Sequence, residues 1–275
     1  MVWTWIWEWA VLFALVGLWL YARYWKRAAS KVLFQYALAC HKKEDRDVLA
    51  RRAVIAGNRP ARLLYALNNP EYFDKSRPMR PFLFGNIPCI FGNYYFSQRY
   101  DGWLREEQEE FVQKVYAFKE GEEDCREYFS RMFQTLCYER GITVMFMPCS
   151  TAARYYKRFG RVAGFLENAG YAQSGLELIR ITENRESKHT AAIRSSVNMN
   201  NYVMSTELCG RRVVILDDLL TTGESLFDYA RNLERCGAKV VGAFFLARTF
   251  QVPSSSTIRW TAWKRDMKTR FLRKC

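Results

Sequence analysis

A short apolar run that leads into two acids and a hydroxyl-rich turn constrains the fold of this chain more than any other feature. The run Val213–Leu216 is rich in β-branched residues and too short for a helix, so it predicts a buried parallel strand. Asp217 and Asp218 follow at its carboxyl end, where open α/β sheets bind their ligands. Further on, apolar residues recur at helical spacing from Leu226 to Leu233. The stretch therefore predicts a strand, a loop and the start of a helix.

The loop between this strand and this helix has the composition of an anion-binding site. It is made of small and hydroxyl-bearing residues around one acid: Thr221, Thr222, Gly223, Glu224 and Ser225. Such a loop presents backbone N–H groups to an anion, and the dipole of the following helix adds to the attraction. Two carboxylates next to a phosphate site suit the ribose diol of a phosphorylated sugar. The alternative is a strand that ends in a solvated acidic turn with an ordinary helix cap.

Residues 213–225 resemble, at every position, the phosphoribosyl diphosphate (PRPP) motif of type I phosphoribosyltransferases. That motif has four hydrophobic residues, two acids, two more hydrophobic residues and then Thr-Thr-Gly-X-Ser/Thr. The resemblance implies an α/β fold with a parallel sheet flanked by helices. It implies that Asp217 and Asp218 are the catalytic pair that holds the ribose hydroxyls, and that Thr221–Ser225 holds the 5′-phosphate. It also implies Mg²⁺ that is carried by PRPP rather than by a metal site of the protein.

A second strand followed by a helix start lies earlier in the chain. Residues 142–147 predict a buried strand, and a helix with four basic residues follows. The turn between them consists of Pro148, Cys149, Ser150 and Thr151, of which either hydroxyl residue can cap the helix and leave N–H groups for an anion. In phosphoribosyltransferases the corresponding loop binds pyrophosphate. The order of a strand, Pro148-Cys149-Ser150 and then Lys-Arg-Phe-Gly-Arg at residues 157–161 resembles the competence-protein ComF family. The basic helix belongs either to this site or to a solvated face.

Cys149 could be considered a nucleophile, but it has no evident partner base. We therefore interpret it as a small residue of the loop.

Residues 178–202 are polar and have little apolar periodicity. In phosphoribosyltransferases a stretch at this place is the mobile hood loop, which closes over the reacting centre and excludes water. Arg185 and Lys188 are the candidates for contact with the diphosphate leaving group. His189 stands beside them, although a surface histidine without a role is the simpler interpretation. ComF relatives have a threonine and a glutamine in this stretch, and Ser187-Lys188-His189 stands in their place in this sequence.

A further apolar strand at residues 239–247 completes a strand–helix–strand unit. The resemblance to ComF thus spans about residues 119–250, and the predicted phosphoribosyltransferase-like domain covers residues 79–250. The four-cysteine zinc ribbon that is common in that family is missing from this sequence. The eight cysteines are scattered without a C-x-x-C pair, which indicates reduced thiols in a cytosolic domain.

The first 27 residues predict a transmembrane anchor. Between Val2 and Trp25 the only ionised residues are Glu8 and Arg23, and a bilayer crossing needs about 20 mainly apolar residues. Aromatic residues gather at both ends of this span, as interfacial belts do. Basic residues follow the span, which places the amino terminus outside and the soluble domain in the cytoplasm. A cleaved signal peptide, an amphipathic helix and a core helix are the alternatives.

Two more segments flank the predicted domain. Residues 28–78 weakly resemble one Sel1- or tetratricopeptide-type helical hairpin, which indicates a spacer, an interaction surface or a plain helical linker. In the tail, residues 251–275, aromatic and basic residues alternate, and Trp260, Trp263 and Met267 share one stripe of a helix. The tail predicts a membrane-surface helix that meets anionic lipid, with nucleic-acid binding and packing on the core as alternatives. The net charge of +14 favours anionic partners without choosing among them.

Two classes of function follow. The first is a membrane-anchored, ComF-like phosphoribosyltransferase that binds PRPP with Mg²⁺ and transfers phosphoribosyl to an unidentified base or amine. The second is a non-catalytic module that senses PRPP or a nucleotide and is tethered to the inner face of the membrane. Both classes keep the acidic pair and the phosphate loop, so these motifs do not separate them. Both classes of function are compatible with a homodimer.

Overall fold

The computed structural model describes residues 2–136, 141–182 and 202–272, and the side chains of residues 9–269 within these ranges. The helices are α1 (Val2–Ala39), α2 (Lys43–Ile55), α3 (Pro60–Asn68), α4 (Glu106–Lys119), α5 (Arg126–Leu136), α6 (Ala152–Asn168), α7 (Glu224–Arg235) and α8 (Ser255–Leu272). The strands are β1 (Phe82–Phe84), β2 (Ile87–Tyr95), β3 (Ile142–Phe146), β4 (Gln173–Ser174), β5 (Ile179–Ile181), β6 (Tyr202–Met204), β7 (Arg212–Leu220) and β8 (Lys239–Thr249).

The chain forms two compact units. The helical unit contains the chain up to Phe73, the short segment Tyr100–Arg105, and the segment from Gln251 onward. The sheet unit contains Asp74–Arg99 and Glu106–Phe250. The carboxyl-terminal helix α8 thus belongs to the same unit as α1, α2 and α3.

Small residues allow the helices of the helical unit to pack closely. The alanines that face its interior are fully buried, namely Ala50, Ala53, Ala61 and Ala66. The turn between α2 and α3 contains Gly57, whose φ of +98° is strained for any residue with a Cβ. Pro60 then occupies the first turn of α3, where the absence of its N–H costs no helical hydrogen bond. Ile258 and Ala262 of α8 are also buried in this unit.

The transmembrane anchor predicted over residues 1–27 is not supported by the described part of the chain. Within that part, no helix combines the length and the apolar character that crossing a membrane requires. The physical reason lies in the composition of α1, where tryptophans, tyrosines and basic residues interrupt the aliphatic run and lower its mean hydropathy. The side chains of the first eight residues lie outside the described ones.

The sheet unit is built on one six-stranded sheet. Its strand order is β1-β2-β8-β7-β3-β4, and every neighbouring pair is parallel except β1 with β2. The α/β architecture with a mostly parallel sheet is the one that the sequence predicts. The carboxyl ends of β3, β7 and β8 therefore open on the same edge of the sheet.

Both faces of the central strands are buried, as expected for parallel strands covered by helices. All five residues of β3 are buried, and so are Val213–Leu216 in β7. On one face, a cluster that includes Phe146, Phe159 and Leu216 joins β3, α6 and β7 with residues of α4 and α5. This packing fixes where β3 and β7 end.

The strands β5 and β6 form a separate antiparallel pair, in which Ile181 lies opposite Tyr202. The segment between them, residues 183–201, includes the predicted hood-loop residues Arg185, Lys188 and His189. These three lie outside the described residues.

Candidate functional site

The two predicted loops emerge side by side from the edge of the sheet. β3 and β7 are parallel neighbours with Phe146 opposite Leu216. Beyond the last residue of β3, the N–H of Met147 still donates to the carbonyl oxygen of Leu216, at 3.0 Å. The loop that starts at Pro148 therefore begins next to Asp217. The fold thus brings the predicted pyrophosphate loop and the acidic pair together.

The acidic pair is held by the strand and is not a solvated turn. Asp218 is only 9% exposed, and its N–H donates to Oδ1 of Asp217 at 2.8 Å. Desolvation is the largest cause that raises the pKa of Asp217 well above its usual range, and the neighbouring Asp218 raises it further. The neutral form of Asp217 is therefore favoured, and its carboxyl group can donate a hydrogen bond to a hydroxyl as well as accept one.

Arg158 of α6 provides the positive charge that faces this pair. Its Nη1 lies 3.6 Å from Oδ2 of Asp218, and both side chains are about nine-tenths buried. Its Nε donates to the carbonyl oxygen of Lys119 at 2.9 Å, which fixes the guanidinium in place. Burial lowers the pKa of Arg158, but Asp218 and the other nearby anionic groups raise it above the usual value. The interaction therefore keeps Arg158 charged and orients Asp218.

The loop after β7 leads directly into the amino terminus of α7. Gly223 occupies the cap position with a φ of +80°, and it has no side chain with which to satisfy the first N–H groups of the helix. Thr221 and Thr222 are exposed, and Oγ1 of Thr221 lies 3.1 Å from Oγ1 of Thr249, at the end of β8. Glu224 is exposed as the first residue of the helix. Ser225 follows it inside the first turn. This is the geometry of a helix start that accepts an anion.

An aromatic hairpin packs against this loop. The ring of Phe84 in β1 occupies the position that a Cβ on Gly223 would take. The same ring stacks on Phe227 of α7, with centroids 5.5 Å apart and planes 15° from parallel. Gly223 is therefore required twice, by its positive φ and by the proximity of Phe84.

The predicted pyrophosphate loop, Pro148–Thr151, ends in a helix cap. Thr151 is the cap residue of α6, and its side-chain oxygen accepts from the N–H of Arg154 at 3.2 Å. Ser150 is partly exposed beside it. Cys149 is buried, and this burial raises the pKa of its thiol to about 12. A thiol with such a pKa stays protonated at neutral pH, which agrees with a packing role rather than a nucleophile.

One buried tyrosine ties the two loops to each other. Tyr229 of α7 is fully buried, and its hydroxyl donates to the carbonyl oxygen of Phe146 at 3.0 Å. This hydrogen bond joins the helix that begins at the phosphate loop to the end of the strand that precedes Pro148. The distance between the two loops that are predicted to bind anions is thereby fixed.

Three contributors to the site escaped sequence reasoning. Arg158 was visible only as one of four basic residues on a helix, although it borders the apolar stripe that contains Tyr155 and Phe159. The contacts of Thr249 and Phe84 with the loop have no signal in the local sequence, because both residues reach the site through strand pairing. A search for basic residues at the margin of an apolar helix face would have found the first.

The site can accommodate a magnesium ion held mainly by a ligand. Within the described residues, no three histidine, cysteine or acidic side chains are arranged so that they could hold a metal ion. Asp217 and Asp218 supply hard oxygen ligands, and Mg²⁺ is usually bound through one or two carboxylates together with substrate phosphates. The residues present fit that mode of binding.

The fold and the site place an acidic pair and two helix starts at the carboxyl edge of a mostly parallel sheet. The phosphoribosyl transferase domain family matches residues 113–270, more than half of the chain. The chain therefore belongs to the phosphoribosyl transferase domain family. The matched region contains both loops and the acidic pair. Among curated proteins, no significant match to the sequence was found.

Proposed function

We propose that this protein is a phosphoribosyltransferase that binds PRPP together with Mg²⁺ and transfers its phosphoribosyl group to a base or an amine. The observation that carries the proposal is the meeting of three features at one edge of the sheet. These are the pair Asp217 and Asp218, the capless helix start at Gly223, and the loop Pro148–Thr151. A diol, a terminal phosphate and a diphosphate on one ribose require three such sites.

In the proposed reaction, the bond between C1 of the ribose and the diphosphate oxygen breaks, and pyrophosphate leaves with the bonding electrons. A bond forms between C1 and a nitrogen of the acceptor, which loses one proton. The loop Pro148–Thr151 and the start of α6 would bind the leaving pyrophosphate through N–H groups. Mg²⁺ that arrives with PRPP would offset the charge of the diphosphate.

The acidic pair orients the ribose in this proposal. Arg158 fixes one oxygen of Asp218, so the other can accept from a ribose hydroxyl. The raised pKa of Asp217 favours its protonated form, which can exchange a proton with a hydroxyl or with the acceptor nitrogen. Positioning of the sugar is the main contribution, since it converts an encounter into an aligned reaction.

Within the superfamily, we propose a ComF-like member. The proposal is supported by the order of residues after β3, where Pro148 and Cys149 precede a helix that carries Arg158 and Arg161. It is also supported by the final strand, β8, which continues into Ala247-Arg248-Thr249. The acceptor is not specified by these residues.

The test is to incubate the full chain with PRPP, Mg²⁺ and a panel of nucleobases and amines, and to follow pyrophosphate release. The double variant Asp217→Asn, Asp218→Asn should lose PRPP binding in calorimetry. Asp228→Asn is the matched control, because Asp228 lies in α7 but is exposed and paired with Arg231. Unchanged PRPP affinity in the double variant would count against the assignment.

A second function is a PRPP or nucleotide sensor that keeps the binding site without transfer. The contact of Phe84 with Gly223 favours it, because the hairpin that holds this ring could report whether the loop is filled. A sensor binds PRPP and releases no pyrophosphate with any acceptor. A transferase releases pyrophosphate with at least one.

We also propose that the helical unit attaches the protein to the cytoplasmic face of a membrane. The support is the apolar surface of α1, where large side chains from Trp9 to Trp25 are about half or more exposed. Lys26, Arg27 and Lys31 follow this surface directly. Attachment predicts that the full chain sediments with membranes and that deletion of residues 1–27 releases it. Release of the intact chain by buffer alone would contradict the attachment.

A further inference from the structure

The helical unit contains a cavity that has no part in the phosphoribosyl site. Its volume is about 320 Å³, and it lies between α1, α2 and α8. Its lining combines cationic and aliphatic side chains with Asp266 and Thr269 of α8. All of its lining residues belong to the helical unit.

Three cationic side chains face the cavity. They are Lys26 from α1 and the consecutive residues Arg51 and Arg52 from α2. Arg51 is 6% exposed, and its Nη1 lies 3.7 Å from Oδ2 of Asp47. Its Nε lies 3.9 Å from Oδ1 of Asp266 and has no hydrogen-bond partner among the described residues. A buried guanidinium that lacks a partner on one N–H is a site for an anionic acceptor.

Asp266 and Thr269 of α8 also line the cavity, and the rest of the lining is apolar. Val48 and Ile55 of α2, with Ala56 directly after it, contribute aliphatic surface beside the cations. A free phosphate ion has no use for such a surface, whereas an amphiphile has. The cavity therefore combines two chemistries of a phospholipid: cations for the headgroup phosphate and aliphatic surface for the start of the acyl region.

The surroundings of the cavity point to the same ligand. Lys26 directly follows Trp25, the last residue of the exposed apolar stretch of α1. On α8, Trp263 stands three residues before Asp266, so the two are neighbours on the helix surface. Trp263 is 47% exposed and stacks on exposed Trp260, with centroids 5.1 Å apart. Exposed tryptophans, and a cation directly after one of them as in Trp25-Lys26, are typical of a surface at the level of lipid headgroups.

We propose that this cavity binds the phosphodiester headgroup of an anionic lipid. Arg51, Arg52 and Lys26 would hold the phosphate, and Val48 and Ile55 would contact the glycerol and the first acyl carbons. The proposal adds a defined lipid site to the membrane attachment proposed above and rests on it in part. It is independent of phosphoribosyl transfer, and it does not require α1 to cross a bilayer.

The test uses the full chain purified in a neutral detergent and probes it with soluble lipids, so that it does not depend on attachment. Binding is measured with dihexanoyl phosphatidylglycerol, with dihexanoyl phosphatidylcholine and with inorganic phosphate. The tested variant is Lys26→Gln with Arg52→Gln, two exposed positions whose loss leaves the pairs of Arg51 intact. The matched control is Arg27→Gln with Lys264→Gln, which removes the same charge from α1 and α8 outside the cavity.

We expect phosphatidylglycerol to bind more tightly than phosphatidylcholine or phosphate. The cavity variant should weaken it about thirtyfold, because each cation near an anionic headgroup contributes roughly a factor of five. The control should change it less than about twofold. Equal losses in both variants would mean a diffuse cationic field and would overturn the site. Phosphate binding as tight as the lipid would overturn the lipid assignment.

A second variant fills the cavity without changing its charge. Ala56→Met should weaken phosphatidylglycerol and leave the melting temperature of the unliganded chain within a few degrees. If the lipid binds this variant as it binds the original chain, the cavity is not the site.

Discussion

At the scale of single residues, we expect Asp217 to support ligand binding and to lower the stability of the folded chain. Burial and the proximity of Asp218 raise the pKa of Asp217 in the folded chain above its unfolded value. The stability that comes from its neutral form is fully present below the unfolded pKa and is lost as pH rises through the folded pKa. Asp217→Asn should therefore raise the melting temperature at neutral pH by about 2 °C or more, the effect of roughly 1 kcal/mol in a chain of this size. PRPP binding should be lost in the same variant.

Calorimetry across pH distinguishes this cause from a general gain in packing. The gain in melting temperature should shrink as the buffer becomes acidic. In acid, the original chain and the Asp217→Asn variant both carry a neutral side chain at position 217. Asp228→Asn, at an exposed position, should change the melting temperature little at any pH. A pH-independent gain for Asp217→Asn would show that burial of the carboxyl group at position 217 is not the cause of the gain.

Arg158 also acts at this scale, as a positioning residue for Asp218. Arg158→Met removes one partner of a largely buried ion pair and should destabilise the chain by about 3 kcal/mol. PRPP affinity should fall about tenfold, because Asp218 loses its fixed orientation. Arg161→Met is the matched control: Arg161 lies on the same helix and also donates to a backbone carbonyl, that of Gly121, without facing the acidic pair. Similar PRPP affinities in the two variants would remove Arg158 from the site.

At the scale of elements, the β1–β2 hairpin and the phosphate loop are one structure. Gly223→Ala should destabilise the chain by about 2–4 kcal/mol, since the residue has a φ of +80° and a Cβ would meet the ring of Phe84. Adding Phe84→Ala removes the clash and leaves the backbone strain. The double variant should therefore recover part of the loss in denaturant unfolding.

The control for this cycle is Leu83→Ala. Leu83 lies in the same strand, but its side chain is 71% exposed and makes no part of the contact with Gly223. It should add its own small effect to that of Gly223→Ala without recovery. Strict additivity of Phe84→Ala with Gly223→Ala would show that the hairpin does not bear on the loop.

The elements also show where sequence reasoning succeeds and where it stops. The apolar run Val213–Leu216 predicts β7, but the strand continues to Leu220, because Leu219 and Leu220 pair with Ala247 and Arg248 of β8. The local sequence gives no signal that the acidic pair lies inside a strand, because this extension of β7 depends on its pairing with β8. Likewise, Thr151 could be predicted as a cap from its type and place, whereas the contact of Arg158 with Asp218 depends on how α6 packs on the sheet.

At the scale of the whole molecule, the tail shows the limit of helical periodicity. The stripe of Trp260, Trp263 and Met267 predicts an amphipathic helix, and α8 is a helix. Yet Trp260 and Trp263 face solvent, while Ile258 and Ala262 form the buried side. Periodicity identifies two faces of a helix, but which one is buried depends on the complementary surface, here that of α2 and α3.

This arrangement leads to a prediction for the two units. α8 is bound to the helical unit by Arg265, whose guanidinium carbon lies 3.6 Å from the ring centroid of Tyr72, and by the pair of Asp266 with Arg51. Removal of residues 255–275 takes away Asp266, one of the carboxylates that offset the charge of buried Arg51. It also exposes the apolar surface that Ile258 covers. We therefore expect the helical unit to melt at lower temperature and residues 28–73 to become sensitive to protease.

The sheet unit should respond differently to the same truncation. Its acidic pair and both loops lie within Asp74–Phe250, so PRPP should still bind, with an affinity within about threefold of the full chain. Calorimetry of the truncated chain should then show two transitions, of which PRPP raises only one, because a ligand stabilises only the unit that binds it. Loss of PRPP binding on truncation would mean that α8 supports the catalytic edge of the sheet and that the two units do not fold independently.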